Sequence, residues 1–277
     1  MVLATVMALG AALLHASWNL VVKASGDRLV AMWAQGLFGA IVALPLLFVT
    51  GLPPRAAWPF LGTAVVLHFS YALVLAAAYD RADLSVVYPM ARGSAPLLTA
   101  VGGALFLHDT LTGAGYLGVA VAVSGLLFIS RKGGWQRGAG WALATAVIIA
   151  TYTLVDTAGV RTADEALSYV IVLLAISGAF LTIPVLASRG RSGVAAAVRA
   201  APWRHLFAGV ASLGAYALVL SAVRLAPVAY VATIRESSVV FGALGGWLLL
   251  KEAFGRRRTA GAAIVAVGIA LLIGTAA

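Results

Sequence analysis

Two arginines occupy equivalent positions of an internal repeat, and both lie within strongly apolar stretches. Arg92 and Arg235 are 143 positions apart, and several neighbours recur at that offset. The recurring residues are Arg81, Ser94, Gly102, Gly103 and His108-Asp109, matched by Arg224, Ser237, Gly245, Gly246 and Lys251-Glu252. Charge inside a bilayer is costly and usually functional, and arginine offers a planar fork of donors. The pair therefore predicts a binding site for a carboxylate or phosphate group.

Other side chains are candidates for the same substrate site. Ser85, Tyr88 and Arg92 follow each other at helical spacings of three and four, so they share one helix face. Trp18 and Asn19 share a face of the first apolar stretch, and Tyr152 and Tyr230 are candidate aromatic contacts. Interhelical packing is the alternative for Trp18 and Asn19. The alternative for the two arginines is a purely structural role. Arg235 would then bond to Glu236 or Asp156, and Arg92 would bond to carbonyls near Pro89.

Asp156 and Glu236 are the acids that fall well inside apolar stretches, and both are candidates for proton coupling. A buried carboxyl group has an accessible neutral form and can carry a proton across the membrane. A permanent ion pair would instead keep the carboxyl group charged, so that it could not carry a proton. We favour an ion pair with Arg235 for Glu236 and leave both interpretations open for Asp156.

The composition indicates an all-α, polytopic membrane protein. Of the 277 residues, 62% are hydrophobic and 10% are charged, which leaves too much apolar surface for a soluble domain. The net charge of +10 comes from basic residues near helix ends, so no nucleic-acid partner is expected. The chain has no cysteine, no Walker pattern, no metal-ligand spacing and no nucleophile–base arrangement. We expect neither an enzyme nor a protein that needs a cofactor or a metal.

Ten apolar runs are long enough to cross a hydrocarbon core, which takes about 17–25 helical residues. They are residues 2–22, 29–49, 58–78, 84–107, 113–130, 138–160, 167–187, 205–223, 228–250 and 259–275. Five spans in each half of the chain must insert the two copies in opposite orientations. The sequence thus predicts two five-helix inverted-topology repeats, residues 1–132 and 138–277, with a site where the halves meet near the midplane.

The distribution of lysine and arginine predicts the orientation in the membrane. Connections after odd-numbered spans carry 14 basic residues, and those after even-numbered spans carry three. Basic loops stay in the cytoplasm, so both termini are expected outside. The connection at residues 188–204 holds four arginines and is expected along the interface, with a solvated loop as the alternative.

The pattern of two five-span repeats resembles the drug/metabolite transporter superfamily, in its EamA-like ten-helix branch. The similar segments are His15-Ala-Ser-Trp-Asn-Leu-Val-Val-Lys23, Tyr88-Pro-Met-Ala-Arg-Gly-Ser-Ala-Pro96, Leu107-His-Asp109 and Leu250-Lys-Glu252. The resemblance covers essentially the whole chain through loose motifs. Members of this superfamily commonly keep both termini in the cytoplasm, the reverse of what the charge count predicts.

These features together predict a secondary active transporter of the inner membrane that works by alternating access. The expected cargo is a small organic anion or a zwitterion such as an amino acid, and the resemblance implies export. The alternatives are an exporter of cationic drugs and an importer of phosphonate-like anions. The expected partners are the substrate and the lipid bilayer, with the protein a monomer or a homodimer.

Overall fold

The computed structural model describes residues 1–79, 84–130, 139–250 and 256–275, and within these ranges the chain is all-helical. The helices are α1 (Val2–Lys23), α2 (Arg28–Ala43), α3 (Leu47–Thr50), α4 (Trp58–Tyr79), α5 (Leu84–Phe106), α6 (Gly113–Ser130), α7 (Ala139–Thr162), α8 (Ala166–Ala200), α9 (Pro202–Ala222), α10 (Val228–Arg235), α11 (Ser238–Leu250) and α12 (Arg256–Gly274). Because α2 with α3 and α10 with α11 each form one interrupted span, ten spans result.

Six helices in the described ranges are long and apolar enough to cross a membrane by length and composition. These segments are Val2–Val22, Leu29–Thr50, Arg55–Leu75, Gly140–Thr162, Ala166–Ala200 and Pro202–Ala222. Two shorter apolar helices, Gly113–Phe128 and Thr259–Gly274, correspond to the fifth and tenth predicted spans. Many of their large apolar side chains are exposed, as a lipid-facing surface requires.

The helix contacts between the two halves come in equivalent pairs: where a helix of the first half contacts a helix of the second, their counterparts also contact each other. α1 packs against α9, and its counterpart α7 packs against α4. α7 also packs against α5, as α1 packs against α10 and α11. The pairs α6 with α12 and α2 with α8 join equivalent helices directly. The repeat found in the sequence is thus also a repeat in three-dimensional packing.

Contacts between helix ends follow the alternation expected of ten spans. Asp109 and Arg161, which follow the fourth and sixth spans, form an ion pair. Asp27 and Arg189, which follow the first and seventh spans, form another. Each ion pair thus joins residues that follow spans of the same parity, as expected if even-numbered connections lie at one membrane face and odd-numbered connections at the other. This parity supports opposite insertion of the two halves.

Close approach of glycines fixes the antiparallel pair α6 and α12. A Cβ on Gly268 would lie 2.3 Å from the Ala122 amide nitrogen, and one on Gly118 would lie 2.8 Å from the Leu272 nitrogen. A Cβ on Gly125 would similarly lie 2.8 Å from the Gly261 carbonyl oxygen. Small residues let backbones touch where no hydrophobic driving force exists between helices in lipid.

Two spans differ from the continuous helices that we expected. The ninth span is interrupted at Glu236 and Ser237, whose amides donate to carbonyls only three residues back. α8 continues to Ala200 through a kink at Gly190, which has a φ of 68°. Only glycine adopts this backbone conformation readily. Residues 191–200, expected as an interfacial segment or a loop, are therefore helical.

Candidate functional site

Arg92, Arg235 and Glu236 form one charged cluster between the two halves. The Arg92 guanidinium donates from Nη2 to Glu236 Oε1 at 3.0 Å and from Nε to Oε2 at 3.2 Å. Arg235 Nη2 lies 3.6 Å from the same Oε1. Both arginines are 8% exposed and Glu236 is 2% exposed, so the cluster is almost closed to solvent. Two guanidiniums and one carboxylate leave one net positive charge.

The interruption between α10 and α11 places Glu236 where it can bond Arg92. α10 ends at Arg235, and the chain turns through Glu236 and Ser237 before α11 begins at Ser238. Discontinuous helices near the midplane recur in transporters, where their ends present polar backbone to ions and substrates. Arg92 therefore bonds to an acid of the opposite half, where we had considered carbonyls near Pro89. Glu236 pairs with Arg235, as favoured, but lies nearer to Arg92.

Several buried polar atoms at and near the cluster have no hydrogen-bond partner among the described residues. These atoms are Arg235 Nε at the end of α10, Ser237 Oγ in the turn, Ser238 Oγ at the start of α11, and Trp18 Nε1 on α1. The arginine and tryptophan nitrogens can only donate. A buried donor without an acceptor costs about 1–3 kcal/mol. The site is thus short of acceptors.

His15 and Trp18 connect α1 to the charged cluster. Their rings are in edge contact, with centroids 4.9 Å apart. His15 lies within electrostatic range of both Arg92 and Arg235. Asn19 donates from Nδ2 to the His15 carbonyl oxygen at 2.7 Å, so its partner is its own helix. The structure therefore places Trp18 against His15, and the Asn19 amide is used within its own helix.

A second polar network surrounds Asp156, which is completely buried on α7. Tyr169 of α8 donates to Oδ1 at 3.0 Å, and Tyr216 of α9 donates to Oδ2. His68 Nε2 of α4 lies 3.1 Å from Oδ2. Asp156 is therefore bound by groups from three other helices and does not pair with Arg235, one of the partners considered from sequence.

Tyr152 lies between the two polar groups. Its ring stacks on His68 with centroids 4.3 Å apart and an interplanar angle of 27°. Tyr152 is within electrostatic range of Asp156 and also of Arg92, Arg235 and Glu236. This predicted site residue thus contacts His68 of the Asp156 network and interacts electrostatically with the arginine cluster.

Tyr230, another predicted site residue, lies apart from this arrangement. Tyr230 is 1% exposed, and its hydroxyl lies 2.6 Å from Thr5 Oγ1. It lines a cavity of about 150 Å³ near both chain ends, with residues such as Met1, Pro227 and Thr275. The side chains of Ser85 and Tyr88 lie outside the part of the structure that is described.

Sequence reasoning missed His68, Tyr169 and Tyr216 as partners of Asp156. The available signal was that His68 stands near the middle of an apolar run, where a polar side chain requires a partner.

The family profile described as the EamA-like transporter family matches the chain twice, over residues 2–131 and 136–274. The chain belongs to this family. It is a multi-pass integral membrane transporter built from two EamA repeats. The EamA-like assignment confirms the resemblance seen in the sequence and the all-helical fold, and identifies a non-enzymatic membrane carrier.

Comparison with solved structures supports the fold of this EamA-like transporter. One crystal structure, described only as that of a protein, superposes with a TM-score of 0.77 at 18% sequence identity, over 98% of each chain. At this identity the likeness concerns the fold alone. No curated protein matches the chain significantly.

Proposed function

We propose that this EamA-like transporter moves a small zwitterion or organic anion, such as an amino acid, and that the cluster of Arg92, Arg235 and Glu236 binds it. The observation that carries the proposal is the Nε of Arg235, a buried donor with no acceptor among the described residues. A substrate carboxylate would supply that acceptor in a charge-assisted hydrogen bond.

The charge of the cluster favours a zwitterion over a strongly negative cargo. Glu236 offsets one of the two guanidiniums, so a single net positive charge faces the ligand. An amino acid presents a carboxylate for Arg235 and an ammonium group for the Glu236 carboxylate. A phosphonate dianion would meet the same carboxylate without compensation. The donors at Trp18, Ser237 and Ser238 would serve further polar atoms of the cargo.

Export of cationic drugs is less well supported. A lipophilic cation needs a buried carboxylate with room beside it. Both oxygens of Asp156 already accept hydrogen bonds, from Tyr169 and Tyr216. The two guanidiniums beside Glu236 leave that cluster with a net positive charge, which repels a cargo that carries only positive charge. The aromatic rings near Asp156 would suit a cation, but the carboxylate they surround is occupied.

In the proposed cycle the two halves, residues 1–132 and 138–277, rock about the cluster by alternating access. The cluster joins the halves, since Arg92 comes from the first and Glu236 from the second. We propose net export, on the family resemblance, by a secondary active mechanism. On the charge count we propose both termini outside; a reporter fused to Ala277 that is active only in the cytoplasm would contradict this.

Thermal shift of the purified protein tests the cargo class. Amino acids should raise the unfolding temperature of the wild type, whereas quaternary amines and phosphonates should not. Arg235→Lys keeps the charge but loses the fork, so it should weaken the apparent affinity by about tenfold, or about 1.4 kcal/mol. Arg224→Lys is the matched control, since Arg224 donates to the Asp164 carbonyl oxygen in a connecting segment. Stabilisation only by quaternary amines, unchanged in Arg235→Lys, would overturn the proposal.

A further inference from the structure

We propose that the proton that couples to transport binds at the His68–Asp156 pair, and that Tyr152 communicates the charge of this pair to the substrate cluster. The inference deepens the proposed function and rests on it, because a proton site matters only if the protein is a secondary transporter. It adds to the carboxylate a basic partner and a route to the cargo, neither of which follows from Asp156 alone.

The pair is built as a unit that can change its charge inside the membrane. Asp156 accepts from Tyr169 and Tyr216 and lies 3.1 Å from His68 Nε2. With a neutral imidazole the pair carries one negative charge; one added proton makes it a neutral imidazolium–carboxylate pair. Histidine is the side chain suited to such a change near neutral pH. One unit of charge is felt strongly in a low-dielectric interior.

His68 is also a member of the network with access to space. Its side chain is 25% exposed, while that of Asp156 is completely buried. His68 and Ser177 line a cavity of about 30 Å³ between α4 and α8, large enough for about one water molecule. Ser177 Oγ is a buried atom without a hydrogen-bond partner in the described residues. A proton could therefore reach the imidazole without opening the Asp156 shell.

Glu236, the other candidate, is less suitable. Its two oxygens accept from Arg92, and one of them lies 3.6 Å from Arg235. A proton there would break the ion pair with Arg92 and remove the negative charge that lies beside both arginines. Such a loss of one partner is strongly unfavourable.

Tyr152 links the proton to the cargo. Its ring stacks on His68, and it lies within electrostatic range of Arg92, Arg235 and Glu236. A new charge on the imidazole alters the preferred position of the stacked ring. The following titratable and charged groups face the pair, directly or through Tyr152: Tyr71 on α4, Arg92 on α5, Tyr152 on α7, Tyr169 on α8, Tyr216 on α9, Arg235 at the end of α10 and Glu236 in the turn after it.

The first test needs no cargo. In the full-length protein in lipid nanodiscs, labelled with ¹⁵N-histidine, the resonance lost in His68→Gln identifies His68. We expect that resonance to shift between about pH 5 and 9, as a side chain that exchanges protons does. A constant chemical shift over this range would overturn the proposal whatever the protein carries.

The second test measures coupling in proteoliposomes with a panel of radiolabelled L-amino acids. One coupled proton allows at most about tenfold accumulation per unit of imposed pH gradient. We expect the wild-type protein and the control variant His108→Asn, changed at an exposed position, to approach this tenfold limit. His68→Gln and Asp156→Asn should fall to no accumulation yet retain counterflow exchange. Tyr152→Ala should keep the NMR titration of His68 but lose most of the accumulation.

The outcomes separate the two proposals. Gradient-driven accumulation that persists in His68→Gln would overturn the proton site while leaving the cargo assignment intact. Wild-type protein that exchanges none of the amino acids would overturn the proposed cargo, and the His68 titration would then decide on the proton site alone.

Discussion

Arg161 donates two hydrogen bonds to the Asp109 carboxylate, from Nη1 at 2.9 Å and from Nη2 at 2.7 Å, and so connects the end of α7 to the segment after α5. The same carboxylate accepts the Val228 amide at 2.8 Å, at the start of α10. Arg161 also donates to the Val223 carbonyl oxygen. Asp109, a residue of the first half, thus binds the end of α7 and the start of α10 in the second half, at the face that carries even-numbered connections.

Breaking this contact should loosen the halves at that face. Asp109→Ala removes the partner of Arg161 and of the Val228 amide, and should lower the free energy of unfolding by about 1–2 kcal/mol, given partial exposure. Thermal unfolding in detergent measures the effect, with Arg204→Gln as a control on exposed charge. In a double-mutant cycle with Arg161→Ala, the double variant should lose less stability than the sum of the losses in the two single variants. Strict additivity would contradict the contact.

Removing the acid of the charged cluster should be more damaging. Glu236→Gln removes the buried carboxylate that pairs with Arg92 and Arg235, at a cost of about 3–5 kcal/mol. We expect a large fall in unfolding temperature, partly reversed when Arg92→Gln is added. A Glu236→Gln protein as stable as wild type would mean that the ion pair is absent from the folded state.

Glycine contacts give a sharper packing test. Gly268→Ala places a methyl group 2.3 Å from the Ala122 amide nitrogen, so α6 and α12 must separate. Overpacking of this kind costs about 1–3 kcal/mol. Gly62→Ala on α4 is the matched control, because no atom lies within 4 Å of its new Cβ. It should be neutral or stabilising by up to about 1 kcal/mol. Equal unfolding temperatures for the two variants would refute the close α6–α12 contact.

Asp27 should make stability depend on acid pH. The hydrogen bond from Arg189 Nε, at 2.6 Å, is the main reason that the pKa of Asp27 is lowered, and the Leu29 and Val30 amides add to it. A lowered pKa stabilises the fold at pH values above the pKa of aspartate in the unfolded chain, about 3.9. This stabilisation is lost as the pH falls through the pKa of Asp27 in the folded protein.

The comparison with Asp27→Asn isolates this contribution. The variant keeps an N-cap for α2 but not the charge, so its deficit in unfolding temperature should be present at pH 7 and shrink below about pH 4. A deficit that is constant from pH 3 to 7 would show that the ion pair with Arg189 contributes nothing.

The sequence predicted the spans and the arginine pair because each leaves a local signal. Apolar runs of sufficient length stand out by composition, and Arg92 and Arg235 stand out as charges within them. The shared offset of 143 made the repeat visible without coordinates.

The Asp156 network left no comparable signal. Its partners His68, Tyr169 and Tyr216 come from three other helices, and tyrosine is as common in packing as in polar sites. Which faces of α4, α8 and α9 meet α7 depends on tertiary packing. The break at Glu236 was equally hidden, since residues 228–250 contain no proline and the turn there uses ordinary residues.

The exchange of helix partners between the halves has a consequence for biosynthesis. α1 packs mainly against α9, α10 and α11, which are translated more than a hundred residues later. Until those helices enter the bilayer, a newly made amino-terminal segment must keep its polar side chains, Arg92 among them, without their final neighbours. Ribosome-stalled chains that end near residue 130 should consequently be bound by insertion chaperones and degraded quickly, and stalling beyond residue 240 should relieve both.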